Sequence, residues 1–229
     1  MPAFDLHERP LRELNRALHA LRTDTNETLW RVANPDGRHS IAVGLDAPVT
    51  VEIGGNAGYY CGGMNKQATV IVHGSAGVGV AENMMSGAVH VHGDASQSAG
   101  ATAHGGLLAI YGNAGSRCGI SMKGIDIVVR GSIGHLSAFM AQAGTLTVLG
   151  DAGEALGDSL YEARLYIRGT VKSLGADCIE KPMRDEHRAQ VYAKLEAAGL
   201  AGEVDPAEFR RYGSARQLYH FHVDNAGAY

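Results

Sequence analysis

The chain has 229 residues, a formal net charge of -4 and a pI of about 6.2, with 45% hydrophobic and 19% charged residues. That balance argues against a nucleic-acid binder, which usually presents a basic face. No apolar run approaches the roughly 18 residues needed to cross a bilayer. The unusual number is 31 glycines, roughly twice the usual share.

The N-terminal stretch MPAFDLHERPLRELNRALHALR mixes both charges and lacks an apolar centre, so it does not read as a signal peptide, and a cytoplasmic chain is expected. The sequon at Asn26 would matter only in a secreted protein. Leu11, Leu14, Leu18 and Leu21 fall at helical spacing and predict an amphipathic helix of about three turns lying against the first part of the following array. NETLWRVA predicts a short strand, NPDGRHS a turn, and IAVGLDAPVTVEIGG an entry through one irregular coil.

From there the sequence repeats. A glycine follows an apolar run at Gly55, Gly74, Gly93, Gly112, Gly131, Gly150 and Gly169, each step being 19 residues. Two residues before each stand Ile53, Val72, Val91, Ile110, Val129, Val148 and Ile167, all β-branched. Four before stand Val51, Val70, Val89, Leu108, Ile127, Leu146 and Leu165. A spacing of two puts both columns on one face of a strand, toward a core. The alternate positions, including His73, His90, His92, Tyr111, Arg130, Thr147, Tyr166 and Arg168, are polar or amphipathic and are expected to face outward. Seven residues after each glycine the side chain is small: Gly62, Ala81, Gly100, Gly119, Ala138, Gly157 and Ala176.

Helical repeats need longer units, and the Leu/Asn ladder of leucine-rich repeats is absent. The pattern therefore predicts an all-β fold, a parallel β-helix of about seven 19-residue coils, with glycine at corners that need close approach or positive φ. This answers the apparent phosphate loop in VIVHGSAGVGV. A dinucleotide site requires a helix directly after its glycines; here the next strand follows, and the same glycine recurs in every coil. The expected boundaries are 1–44 for the N-terminal helix and capping segment, 45–182 for the β-helix and 183–229 for a helical extension.

After Ile179 the period stops and Pro182 marks the change. RDEHRAQVYAKLEAAGL predicts a helix closed by Gly199. DPAEFRRYGS predicts a second helix, with Asp205 as N-cap, Pro206 at its first position, Glu208 completing a capping box and Gly213 as its end. The aromatic tail with Tyr219, Phe221 and Tyr229 is expected to be docked.

A search for chemistry yields little. Cys61, Cys118 and Cys178 lie far apart with no CxxC pair, which signals neither a disulfide framework nor a metal cluster. His73 and His92 are neighbours in one outward column beside His90, but no carboxylate completes a metal set there, and a solvated or interface ladder is expected. Arg130 and Arg168 continue that column with the same reading, and His220 and His222 are a weaker metal candidate. Asp94, Asp151, Asp158 and Asp177 fall at corners, where turns favour Asp. No catalytic, cofactor-binding or metal residues are assigned.

The GNAG, GSAG and GDAG corners, with GxxGxxxG complete at Gly55/Gly58/Gly62, Gly112/Gly115/Gly119 and Gly150/Gly153/Gly157, resemble the GXGXG domain. That domain is the right-handed β-helix found in the glutamate synthase large subunit, in one subunit of formylmethanofuran dehydrogenase and in one subunit of N-methylglutamate synthase. The resemblance covers about residues 49–179. Tyr212-Gly213-Ser214 stands where the glutamate synthase layout has a turn into a last helix, and the whole chain is most similar to the N-methylglutamate synthase subunit. The resemblance implies a cytoplasmic, non-catalytic scaffold that joins an amidotransferase-like subunit to one carrying FMN and iron–sulfur clusters. No cofactor is implied on this chain, and neither nucleic acid nor membrane as partner. The assembly would convert glutamate and methylamine to N-methylglutamate and ammonia. The alternatives are a subunit of a formylmethanofuran dehydrogenase or formyltransferase/hydrolase-type complex, and a stand-alone β-helix enzyme using the outward histidine ladder. Ser96 and Lys172, where the pattern has glycine, put those two corners in doubt as tight turns.

Overall fold

The computed structural model describes residues 3–216. Among them, eleven strands form one sheet that runs the length of a parallel β-helix. In chain order the elements are β1 (Ala3–Asp5), α1 (Leu11–His19), β2 (Leu29–Ala33), β3 (Thr50–Ile53), β4 (Thr69–Val72), β5 (Ala88–Val91) and β6 (Leu107–Ile110). Then follow β7 (Lys123–Val129), β8 (Ala143–Val148), β9 (Arg164–Ile167), β10 (Cys178–Lys181), α2 (Asp185–Ala197) and β11 (Arg210–Ser214).

From β3 to β9 the register is set by the 19-residue period. Val51 pairs with Val70, Val70 with Val89, Val89 with Leu108, Leu108 with Ile127, Ile127 with Leu146 and Leu146 with Leu165. The two aliphatic columns predicted to face inward are fully buried. Each buried aliphatic side chain contributes about 1.5–3 kcal/mol, and in-register stacking keeps every one of them against its counterparts above and below. A second, single-bridge ladder runs down Ala57, Ala76, Ala95, Ala114, Ile133, Ala152 and Val171, two residues past each corner glycine.

The sheet starts earlier than the repeat. β2 pairs in parallel with β3 as Val32 with Ile53, a step of 21 residues, and β1 pairs with β2 as Phe4 with Val32. These irregular coils are the cap. The chain between β1 and β2 holds α1, whose Leu14 and Leu18 are buried in the main core with Leu11 and Leu21 packed beside them. Asn15 clamps α1 to the irregular coil, donating to Ser40 O at 2.8 Å and accepting from Ala42 N at 3.1 Å.

The other end departs from expectation. α2 forms as predicted, with Gly199 at φ +71° after its last turn. The predicted second helix is only a 3-10 turn, Pro206–Glu208, although its Asp205/Glu208 capping box is present. Arg210–Ser214 is instead strand β11, inserted between β9 and β10 and antiparallel to both. The cause is the open edge of β9. A capping box can start a helix, but burial of Tyr212 in the core and pairing of the bare main-chain edge outweigh one further helical turn. Tyr212-Gly213-Ser214 is therefore strand, not the turn that the family layout suggests. The tail from residue 217 onward, including Tyr219, His220, Phe221, His222 and Tyr229, lies outside the described residues.

The outward face is also not uniformly solvated. α2 and the segment after it lie across it, and Val191, Leu195, Ala198, Leu200 and Phe209 form a second core with Ala109, Val128, Leu149 and Tyr166. Thr147 and Tyr166, expected to face outward, do point away from the solenoid but are buried beneath this layer. Lys194 reaches Asp126 at 2.7 Å, and Asp126 also accepts from Thr145 at 2.6 Å. Arg130 and Arg168 pair with Glu203 and Glu208 of the same segment, so these two rungs are an interface within the chain.

Two tests follow from these layers. Val91→Asp places an unpaired charge at a fully buried position, and its expected outcome is loss of the folded state, measured as a lost cooperative melt; a stable, soluble variant would refute the inward assignment. The second test concerns pH. His187 is buried at the start of α2, with Nδ1 accepting the Arg184 N–H at 3.1 Å, and burial, followed by the Arg211 charge, lowers its pKa below 6.5. His90 is lowered by burial and by His92. The unfolded chain thus binds more protons than the folded one once pH falls below the ordinary value, so the stabilisation is complete above it and is lost on acidification. The melting temperature should fall between about pH 7.5 and about pH 5.5, and a His90→Gln/His187→Gln variant should show a smaller fall.

Candidate functional surface: corner ladder and histidine column

From Gly74 onward, each corner glycine is required by contact with the coil below. A methyl group built on Gly74, Gly93, Gly112, Gly131, Gly150 or Gly169 would lie 2.6–2.9 Å from the carbonyl carbon of the preceding corner glycine. Backbone atoms cannot yield as a flexible side chain does, so only glycine fits. At Gly55, the first, the neighbour is the Pro35 ring instead.

The residue after each glycine completes a polar ladder that sequence reasoning saw only as turn chemistry. Asn56 Oδ1 accepts the Ser75 N–H at 2.8 Å, and Ser75 Oγ accepts that of Asp94 at 3.1 Å. Asp94 accepts from Asn113 at 2.7 Å, Asn113 from Ser132 at 2.9 Å, Ser132 from Asp151 at 3.0 Å and Asp151 from Thr170 at 2.7 Å. Asn, Ser and Asp were the available signal, since each carries an acceptor within a bond or two of Cβ, the reach needed to meet the next coil. Asp158 accepts from the Ala176 N–H and Asp177 pairs with Arg216, so these two carboxylates are also structural.

The small column seven residues past each glycine has a different cause. Gly62, Ala81, Gly100, Gly119, Ala138 and Gly157 adopt φ of 58–69°. Ser96 and Lys172 keep their corners, with amides donating to Ala76 O at 2.9 Å and Ala152 O at 3.0 Å as at the glycine-bearing corners.

The histidine column is an aromatic stack. His73 and His92 have ring centroids 5.3 Å apart, and His92 lies 4.9 Å from Tyr111. His73 and His92 are exposed. The Tyr111 hydroxyl donates to Ala198 O at 2.9 Å and meets His90 Nδ1 at 3.1 Å, which assigns the Nδ1 proton to His90. Burial raises the Tyr111 pKa. Tyr111 is thereby committed to holding the end of α2. Among the described residues no three His, Cys, Asp or Glu side chains are grouped to hold a metal ion. Cys61 and Cys118 are buried, with thiols pushed up to about 12 by burial alone; Cys178 is raised to about 12 by burial and then by Asp158.

The fold defines a parallel β-solenoid of about seven coils, stapled at its corners by glycine contacts and a polar ladder. The chain belongs to the family of Protein GlxC of Rhizobium meliloti (strain 1021), with which it is 65% identical over 229 residues, the full length of both chains. No protein-family model matches the sequence.

The two corner devices differ in expected cost. Gly112→Ala forces a backbone contact and should destabilise by about 3 kcal/mol. Asn113→Ala removes an exposed acceptor for one amide and should cost about 1 kcal/mol. Denaturant titration of the two variants checks the order, and equal effects would show that the glycine contact is relieved by coil movement.

Proposed function

We propose that this chain is the β-helix subunit of a glutamate-synthase-type complex, of the kind that makes N-methylglutamate from glutamate and methylamine. In this reading it links an amidotransferase-like subunit to a subunit carrying FMN and iron–sulfur clusters and supplies no catalytic residue itself. The observation that carries the proposal is the unbroken 19-residue coil stack with glycine corners, which accounts for the polar residues at those corners as staples. The likeness to Protein GlxC, 65% identical over 229 residues, supports this reading. Exposed apolar side chains on adjacent rungs, Tyr59 and Val78, with Met64 and Met85 on the same first coils, supply surface suited to partner chains.

The test is native mass spectrometry with a visible spectrum on the protein isolated gently from its own host. Co-purification with larger chains and with flavin and iron–sulfur absorption is the expected result. A lone, colourless chain would remove the scaffold reading and turn attention to the exposed rings of His73 and His92.

A further inference from the structure

At the far end of the stack, three strands each bring a cation to one side of the sheet. Arg211 on β11 lies directly opposite Lys181 on β10 and Tyr166 on β9. Arg164 stands two residues before Tyr166 on β9 and so shares its face. Like charges directly opposite one another in an antiparallel pair are destabilising, and Lys181 with Arg211 is such a pair.

The other outward cations near α2, Arg130, Arg168 and Lys194, are paired with carboxylates. Among the described residues, Arg164, Lys181 and Arg211 have no ion-pair partner; Arg164 donates to Gln190 Oε1 at 3.0 Å and Arg211 to Pro182 O at 3.1 Å. These bonds hold the two guanidiniums in place. All three cations line an open polar cavity of about 310 Å³, together with Tyr161, Ser214 and one carboxylate, Glu162. Ser214 is buried, and its Oγ accepts the Arg216 N–H. Burial lowers the Arg211 pKa; Tyr166 and the Glu186 carboxylate oppose that shift, while the neighbouring Arg164 and Arg184 charges add to it.

We propose that this end cavity is an anion site for a small molecule carrying carboxylate or phosphate groups. Planar guanidiniums present paired donors that match either group, and Lys181 adds a point charge. The cavity lies at the small end of ligand-pocket sizes, which fits a compact anion better than a bulky cofactor.

Calorimetric titration of the full chain with inorganic phosphate and, separately, with glutarate tests this. Saturable binding of at least one anion with a Kd of about 1 mM or tighter is expected. The tighter of the two shows whether the ligand is phosphorylated or a dicarboxylate. Lys181→Met and Arg164→Met should each weaken binding by about tenfold. Arg164 is exposed, so that variant keeps the measurement valid if the Lys181 variant misfolds. Absence of saturation by both anions, or wild-type affinity in the folded variants, would overturn the site.

Discussion

The contact on which the structure depends is backbone against backbone at the corner. From Gly74 onward, each corner glycine rests on the carbonyl of the corner glycine one coil below, closer than any Cβ could allow. That contact fixes the coil rise at the interstrand spacing and admits no residue larger than glycine. With the rise fixed, the period must be constant, because one inserted residue would move the aliphatic columns from the core to the outside. The in-register pairing of Val51 through Leu165 is the consequence. A short coil has too small a core to be stable alone, so the stack is cooperative with its neighbours.

The same constraint explains why so many residues sit in an unfavourable backbone region. Beyond the small column, left-handed φ recurs at Tyr60, Ser98, Arg117, Leu136 and Ala155, and at Met64, Asn83, Thr102, Ser121, Met140 and Ser159. An L-residue there costs about 1–2 kcal/mol. Their amides donate to the adjacent coil, as from Tyr60 to Val78 O at 2.8 Å, Leu136 to Glu154 O at 2.8 Å and Met140 to Asp158 O at 2.8 Å. The strain is therefore tied to stacking: the conformation a residue would avoid by itself is the one that aims its N–H at the next coil.

This marks what the sequence made legible. The inward columns are visible because burial in a period-two strand admits only aliphatic residues, and the corner glycines because contact admits only glycine. The left-handed positions outside the small column leave no such trace, since Tyr, Leu, Arg and Met are held there by neighbouring coils and not by their own preference. Strand β11 was hidden for a related reason. Asp205, Pro206 and Glu208 carry a true helix-start signal, and the structure honours it for one turn. What ends that turn is the unpaired edge of β9, a partner some forty residues away in sequence. The covering of Thr147 and Tyr166 by α2 is non-local in the same way, because alternation in a strand tells which face a side chain takes but not what later lies over it.

The two faces of the stack differ in how much chemistry they leave available. At the corners the Asn, Ser and Asp acceptors are spent on the amides of the next coil, and under α2 the Tyr111 and Tyr166 hydroxyls are spent on Ala198 O and Gln190. Polar groups in both places act between layers of the same chain. A repetitive core has no reason to place like charges opposite each other, and among the paired residues of β3 to β9 none are so placed. Lys181 and Arg211 do, and they stand where the repeat has ended and β11 has been inserted against it. The end of the solenoid is thus the place where the chain is released from the demands of stacking, and where side chains can be arranged for something other than holding coils together.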